Sequence, residues 1–198
     1  MSQLVLATRN RGKIREIEAL LRELPLRIIS LDQLSAMTPV IEDQSTFSGN
    51  ALKKATLVAA ASGLPSLADD SGLAVTALGG RPGVHSARFA GPDADDAANN
   101  LLLLQELNGV PPEKRGAAFI CALALVIPGG ATYLIEESCT GRIAAAPRGG
   151  GGFGYDPLFI YNAGNLTFAQ MSAAEKSLIS HRGKALQRLK TLLVAGAP

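Results

Sequence analysis

Two adjacent carboxylates, Asp69 and Asp70, followed by the hydroxyl of Ser71, are the residues of this chain whose types and spacing most readily do chemistry. They lie in a stretch from Leu67 to Gly91 that packs five glycines into 25 residues. An apolar approach (Leu64, Leu67, Ala68) ending in acids and then Ser-Gly reads as a buried strand whose last residues emerge at a sheet edge, where carboxylates can hold a metal ion. Successive strand side chains point to opposite faces, so the two acids should not share one role. One is expected to face the ion and the other to tie down backbone. Taken alone, the same residues also suit a solvated acidic turn.

A second stretch with chemical potential is the basic loop Thr8-Arg9-Asn10-Arg11-Gly12-Lys13, which follows the apolar run Gln3 to Ala7. Ile14, Ile17, Leu20, Leu21 and Leu24 then recur at spacings of three and four, which predicts an amphipathic helix ended by Pro25. The first N–H groups of a helix lack partners and its dipole favours anions, so this loop with Lys13 could cradle phosphate. It is not a Walker A loop, because Ala7 and Ile14 stand where that motif needs Gly and Ser or Thr. A basic loop in water is the other reading of these residues. Gly149, Gly151 and Gly154 formally match a dinucleotide fingerprint, but they open no helix, and Tyr155-Asp156-Pro157 ends the loop. Cys121 and Cys139 form no CxxC pair and have only His85 and His181 to join them, which argues against zinc and for reduced core thiols.

The elements that must position these residues follow from pattern. Arg27 to Ser30 suits a second strand, with irregular chain carrying Glu42 and Asp43 after it as far as Gln44. Phe47, Ala51, Ala55, Val58 and Ala59 predict a small-faced helix closed by Gly63 and Pro65. Leu73 to Leu78 reads as the hairpin partner of the acidic strand, and Gly79 to Gly83 as a loop. Asp93 opens a helix through Leu107, with Asp95 and Asp96 as capping acids near its positive end. Ala117 to Ile127 and Ala131 to Thr140 read as a hairpin about Pro128-Gly129-Gly130, and Leu158 to Tyr161 as a short strand. Ser172 and Glu175 form a capping box for one helix that carries Lys176, Ser180, His181 and Arg182 near its start and runs on through Leu193. Strands and helices mix throughout, so the class is α/β in a single domain spanning 1–198.

A net charge of +2 and no basic stripe with interleaved aromatics argue against nucleic-acid binding. The N-terminus lacks the basic flank and long apolar core of a signal peptide, and the longest apolar run, Phe119 to Ile127, is too short to span a bilayer. A soluble cytoplasmic protein with no membrane partner is expected.

Four stretches in order, TRNRGK, ADDSGLAV with ALGGRPGVHSARFAG, FGYDP, and EKSLISHRGKAL, resemble the inosine triphosphate pyrophosphatase family, which includes bacterial dITP/XTP pyrophosphatases that remove deaminated purine nucleotides. The resemblance runs from about Leu4 to Leu189. It implies an elongated mixed sheet flanked by helices, two lobes around a central cleft, a homodimer, and Mg²⁺-dependent hydrolysis of a nucleoside triphosphate to monophosphate and pyrophosphate. It puts the phosphate-binding loop on Thr8, Arg9, Asn10, Arg11, Gly12 and Lys13, and the proton-accepting, metal-binding aspartate on Asp70, with Ser71 as a substrate contact. A further metal-binding acid falls on Glu42. Nucleoside contacts fall on Phe153, Gly154, Tyr155, Asp156, Lys176, His181 and Arg182. One departure is that many members carry an acid where this chain has Gly49, which bears on how many metal ions are held.

These assignments agree with what the chemistry requires. A triphosphate needs positive charge that leaves room for the attacking water, which Lys13 and Mg²⁺ on Asp70 and Glu42 can supply. Hypoxanthine and xanthine present a 6-keto acceptor where adenine presents an amino donor, so a donor-only Arg182 favours the former, with Phe153 placed to stack on the ring. Guanine shares the 6-keto group, and its exclusion is not visible in the residues. A pyrophosphatase for other modified or pyrimidine nucleotides, and a nucleotide-binding module without turnover, are the competing readings.

Overall fold

The N-terminal apolar run forms β1 (Gln3–Leu6), in which Leu4, Val5 and Leu6 are fully buried. The structure, a computed structural model, describes residues 2–34 and 39–196. After β1, α1 (Arg11–Leu21) buries Ile17 and Leu21, and β2 (Arg27–Ser30) returns parallel to β1 with Gln3 opposite Arg27 and Leu6 opposite Ser30. The helical crossover is what a parallel pair requires. The irregular run expected after Ser30 starts with a 3-10 turn at Leu31–Gln33, and its residues 35–38 lie outside the described residues.

α2 (Phe47–Ser62) starts on Thr46, whose side chain accepts from the Gly49 N–H, and stops at Gly63 in the left-handed conformation. Ala51, Ala55 and Ala59 are buried along its small face. β3 (Ser66–Val75) corrects two expectations. Strand order β2-β1-β3-β4-β5-β6, with β4 at Gly116–Val126, β5 at Thr132–Ile143 and β6 at Phe159–Tyr161, puts it inside the sheet as an inner strand, but it runs past Asp70 to Val75 without turning back, so the acids do not end the strand and Leu73 to Val75 form no hairpin arm. Leu73 and Val75 are fully buried, and keeping them so holds the backbone extended through Ser71-Gly72, which in isolation reads as a turn.

α3 (Asp96–Glu106) begins later than Asp93, because Asp95 is its cap and accepts from Ala98 N. β4 (Gly116–Val126) and β5 (Thr132–Ile143) are joined by the expected tight turn, in which Ile127 N donates to Ala131 O at 3.1 Å. β6 (Phe159–Tyr161) pairs antiparallel with β5. The expected single C-terminal helix is two, α4 (Ala173–Ile179) and α5 (His181–Val194), separated by Ser180 at φ −69°, ψ 156°. Serine favours helix ends over interiors, and here the extended residue restarts the helix at His181.

The chain divides into two compact units: residues 1–70, 121–137 and 182–198, and residues 71–120 and 138–181. The first buries Leu4, Leu6, Ile17, Leu67, Leu123 and Leu186; the second buries Leu73, Leu103, Phe119, Phe159 and Phe168. Among the described residues no helix is long and apolar enough to cross a membrane.

Candidate active site

In the first unit the two neighbouring acids of β3 serve opposite faces, as strand alternation requires. Asp69 is 1% exposed, and its Oδ1 lies 2.7 Å from Lys13 Nζ while its Oδ2 accepts from Arg182 Nε at 2.7 Å. It therefore anchors two cationic side chains, where an anchor for backbone was expected. Arg182 is 2% exposed and also pairs with Glu16, Nη1 to Oε2 at 2.6 Å. Burial pushes the Asp69 carboxyl up, but the charges of Arg182 and Lys13 outweigh it and hold the group well below the usual carboxylate range.

The other face carries Asp70. Its Oδ1 lies 3.0 Å from Lys54 Nζ, and its Oδ2 accepts from Asn50 Nδ2 at 3.1 Å. Lys54 also pairs with Glu42 Oε1 at 2.5 Å and donates to the Asp69 carbonyl at 2.9 Å, and Lys13 donates to that same carbonyl at 3.3 Å. Two ammonium groups and two carboxylates thus meet around one backbone oxygen. Burial raises the pKa of Asp70, Glu42 adds to the rise, and Lys54 and Lys13 offset only part of it. A carboxylate tuned upward in this way is a better proton acceptor. Burial lowers the pKa of Lys54, but Asp70 and Glu42 more than reverse this, and the side chain stays charged.

Glu42 and Asp70 already share one cation, the Lys54 ammonium, and offer hard oxygen donors. The pair fits Mg²⁺, which takes one or two carboxylates and completes its shell with water and substrate phosphate. Among the described residues no three His, Cys, Asp or Glu side chains gather as a metal cage. At Gly49 an added Cβ would lie 2.9 Å from Thr46 Oγ1 and 3.0 Å from Gln44 Cβ. The chain before α2 is thus folded close over this position.

The basic loop precedes and opens α1. Thr8 Oγ1 accepts from Asn10 N at 3.2 Å, and Asn10 Oδ1 caps the helix by accepting from Lys13 N at 3.0 Å. Arg9 pairs with Asp32 at 3.6 Å, Arg11 is the first helical residue, and Gly12 is buried.

In the second unit, Ser71 lies in β3 and Phe153, Gly154, Tyr155 and Asp156 form a turn before β6. Asp156 Oδ2 accepts from Phe153 N at 2.9 Å and from Lys176 Nζ at 2.5 Å, and the Lys176 ammonium sits 5.0 Å from the Phe153 ring centroid. A Cβ on Gly152 would run into the Asp156 carboxylate, so that position requires glycine. Tyr155 donates its hydroxyl to Ser86 O at 2.8 Å, and burial, with Asp96 adding to it, pushes the phenol pKa up. His181 stacks on Phe119 at 4.7 Å between centroids, with the rings tilted by 9°.

The profile of the Ham1 family matches residues 4–192. The chain belongs to the Ham1 family. It is 54% identical over 187 residues to the dITP/XTP pyrophosphatase of Syntrophobacter fumaroxidans, covering 94% of this chain and 80% of that protein. The dITP/XTP pyrophosphatase of Geobacter sulfurreducens is 52% identical over 190 residues, 96% of each chain. A solved HAM1 protein from Coxiella burnetii superposes with a TM-score of 0.90 at 40% identity, covering 99% of this chain and 100% of that one. The mixed six-stranded α/β fold is thus the Ham1 fold.

Three participants in this candidate site escaped the sequence reading: Asn50, Lys54 and Glu16. Asn50 and Lys54 are four residues apart on α2 and share a face with buried Phe47 and Ala51, and both are themselves buried. A polar pair at that spacing inside a small-residue stripe was the available signal. Glu16 lies on α1 among exposed charges, and nothing in its surroundings in sequence marks it.

Proposed function

We propose that this Ham1 family enzyme hydrolyses non-standard purine nucleoside triphosphates, dITP, ITP and XTP, to the monophosphate and pyrophosphate, removing them from the nucleotide pool. The observation that carries the reading is the meeting of Lys13, Lys54, Asp70 and Glu42 around the Asp69 carbonyl. Cations suited to phosphate oxygens stand beside a carboxylate whose pKa is raised.

Thr8 to Lys13 bind the phosphates, with Lys13 held toward them by Asp69. Glu42 and Asp70 are the residues that would hold Mg²⁺, which when bound neutralises charge developing on the phosphate oxygens. Asp70 takes a proton from the attacking water as its oxygen bonds the α-phosphorus; the bond to the bridging oxygen breaks and pyrophosphate leaves with the electron pair. Asn50, bonded to Oδ2 of Asp70, fixes that carboxylate's orientation.

At the nucleoside end, Phe153 offers a face for the purine, with Gly154, Tyr155, Asp156, Lys176 and Ser71 as the surrounding contacts, and His181 is assigned to the same end. The resemblance assigns Arg182, a donor-only group that favours a 6-keto base over adenine, to the same end, and its guanidinium is buried and already paired with Asp69 and Glu16. The homodimer implied by the resemblance would show in light scattering as a species of twice the 20.5 kDa chain mass.

The reading is tested by following ITP turnover with Mg²⁺ and resolving the products. IMP and pyrophosphate are expected. IDP and phosphate would overturn it.

A further inference from the structure

We infer that the N-terminal end of α3 is a positioning device for the nucleoside-binding turn, with Asp96 and Asn100 clamping Gly154 through both of its backbone polar groups. The Gly154 N–H donates to Asp96 Oδ2 at 2.6 Å, and the Gly154 carbonyl accepts from Asn100 Nδ2 at 2.8 Å. The two side chains lie four residues apart, on one face of the helix, so acceptor and donor are presented together. Asn100 Nδ2 also donates to the Asp96 carbonyl at 2.8 Å, which sets the amide's orientation toward Gly154.

Capping of α3 does not account for these residues. Asp95 is the cap, with its Oδ1 accepting from Ala98 N at 2.7 Å, which leaves the Asp96 carboxylate to serve another segment. Asn100 is 8% exposed, and its Oδ1 is buried without a hydrogen-bond partner. Leaving that acceptor dry is unfavourable, and the amide is nonetheless turned so that its donors meet Asp96 and Gly154.

The clamped residue is one that needs holding. Gly154 has φ +61°, and it ends a run that also has Gly149 and Gly152 at positive φ. Such a segment loses much conformational entropy when ordered. An added Cβ at Gly154 meets nothing within 4 Å, so its backbone conformation, not crowding, is what α3 maintains. Fixing Gly154 fixes the neighbours on either side: Phe153, whose ring lies beneath Lys176, and Tyr155, pinned to Ser86 O. Preorganising a recognition turn lowers the cost of binding without touching the chemical step.

The inference rests on the assignment of Phe153 to Asp156 as nucleoside contacts, and the test separates the two. Asp96→Ala and Asn100→Ala are expected to raise KM for dITP on the order of tenfold, the equivalent of one lost hydrogen bond to a charged or buried group. The kcat stays within about twofold and the inhibition constant of inorganic tripolyphosphate is unchanged. Asp96→Asn, which keeps an acceptor oxygen, recovers most of the loss, and Asp96→Ala combined with Phe153→Ala costs less than the product of the single effects. Phe153→Ala alone must raise KM; if it does not, the nucleoside assignment falls and the clamp with it. If Phe153→Ala raises KM while Asp96→Ala and Asn100→Ala leave it unchanged, or if the double variant is multiplicative, the clamp is overturned and the assignment stands. Asp96 is exposed, so Asp96→Ala carries the test should Asn100→Ala not fold.

Discussion

Lys13 Nζ lies 2.7 Å from Oδ1 of Asp69, so the lysine in the first turn of α1 is tethered to a buried strand acid. The tether fixes a flexible side chain in place before substrate arrives and spares part of its ordering entropy. It also means that Lys13 and Arg182, which are far apart in sequence, share one anion.

Lys13→Met is therefore expected to lower kcat/KM for dITP on the order of 10² to 10³, the range for losing one preorganised electrostatic contact. Lys13→Arg, which keeps the charge with altered geometry, should fall between. Steady-state kinetics on both variants decide this. A Lys13→Met enzyme within a few-fold of wild type would remove the lysine from the phosphate site.

Asp70→Asn keeps the size of the side chain and an oxygen near Lys54, but it removes the carboxylate proposed to accept the proton and to hold Mg²⁺. A loss of about 10² to 10⁴ in kcat is expected, with a melting curve showing a folded protein. Full Mg²⁺-dependent hydrolysis by Asp70→Asn would end the proposed role.

Much of this arrangement could be read from residue order because it is local. The spacing of Ile14, Ile17 and Leu21 defined α1, the Ser172-Glu175 pair started α4, and alternation along β3 separated Asp69 from Asp70. What could not be read depends on partners distant in sequence. The spacing of Asn50 and Lys54 puts both on the buried face of α2, but it does not show that Glu42 and Asp70 are the carboxylates that Lys54 meets there. The strand continues through Ser71-Gly72 because buried Leu73 and Val75 need their core, and the break at Ser180 leaves His181 stacked on Phe119. Local preference loses in each case to packing that a linear pattern does not show.

Asp69 predicts a pH signature. Its ordinary value is 3.8, and in the folded chain it lies well below that, so the unfolded chain binds more protons through this interval. Its stabilising contribution is fully present above about 3.8 and is lost as pH falls toward the folded value. Asp69→Asn leaves Lys13 and Arg182 without that anion, and breaking a buried pair costs about 3–5 kcal/mol. Melting temperatures measured with chelator present should show the largest gap between wild type and Asp69→Asn near pH 7, narrowing below the ordinary aspartate value. A gap that stays constant down to acid pH would mean that the carboxylate is not charge-coupled as the geometry indicates.

Lys54 offers the corresponding test for the metal pair. Its ammonium stands between Glu42 and Asp70, so Lys54→Met brings two carboxylates together with no shared cation, one of them buried. The variant should melt lower in chelator, by the roughly 6–20 °C that a loss of about 3–5 kcal/mol represents in a chain of this size. A divalent ion that binds the same two acids supplies the missing positive charge. Added Mg²⁺ should therefore raise the melting temperature of Lys54→Met more than that of wild type, because only the variant gains relief of like-charge repulsion. An equal or smaller Mg²⁺ shift in the variant would show that the ion does not sit between Glu42 and Asp70.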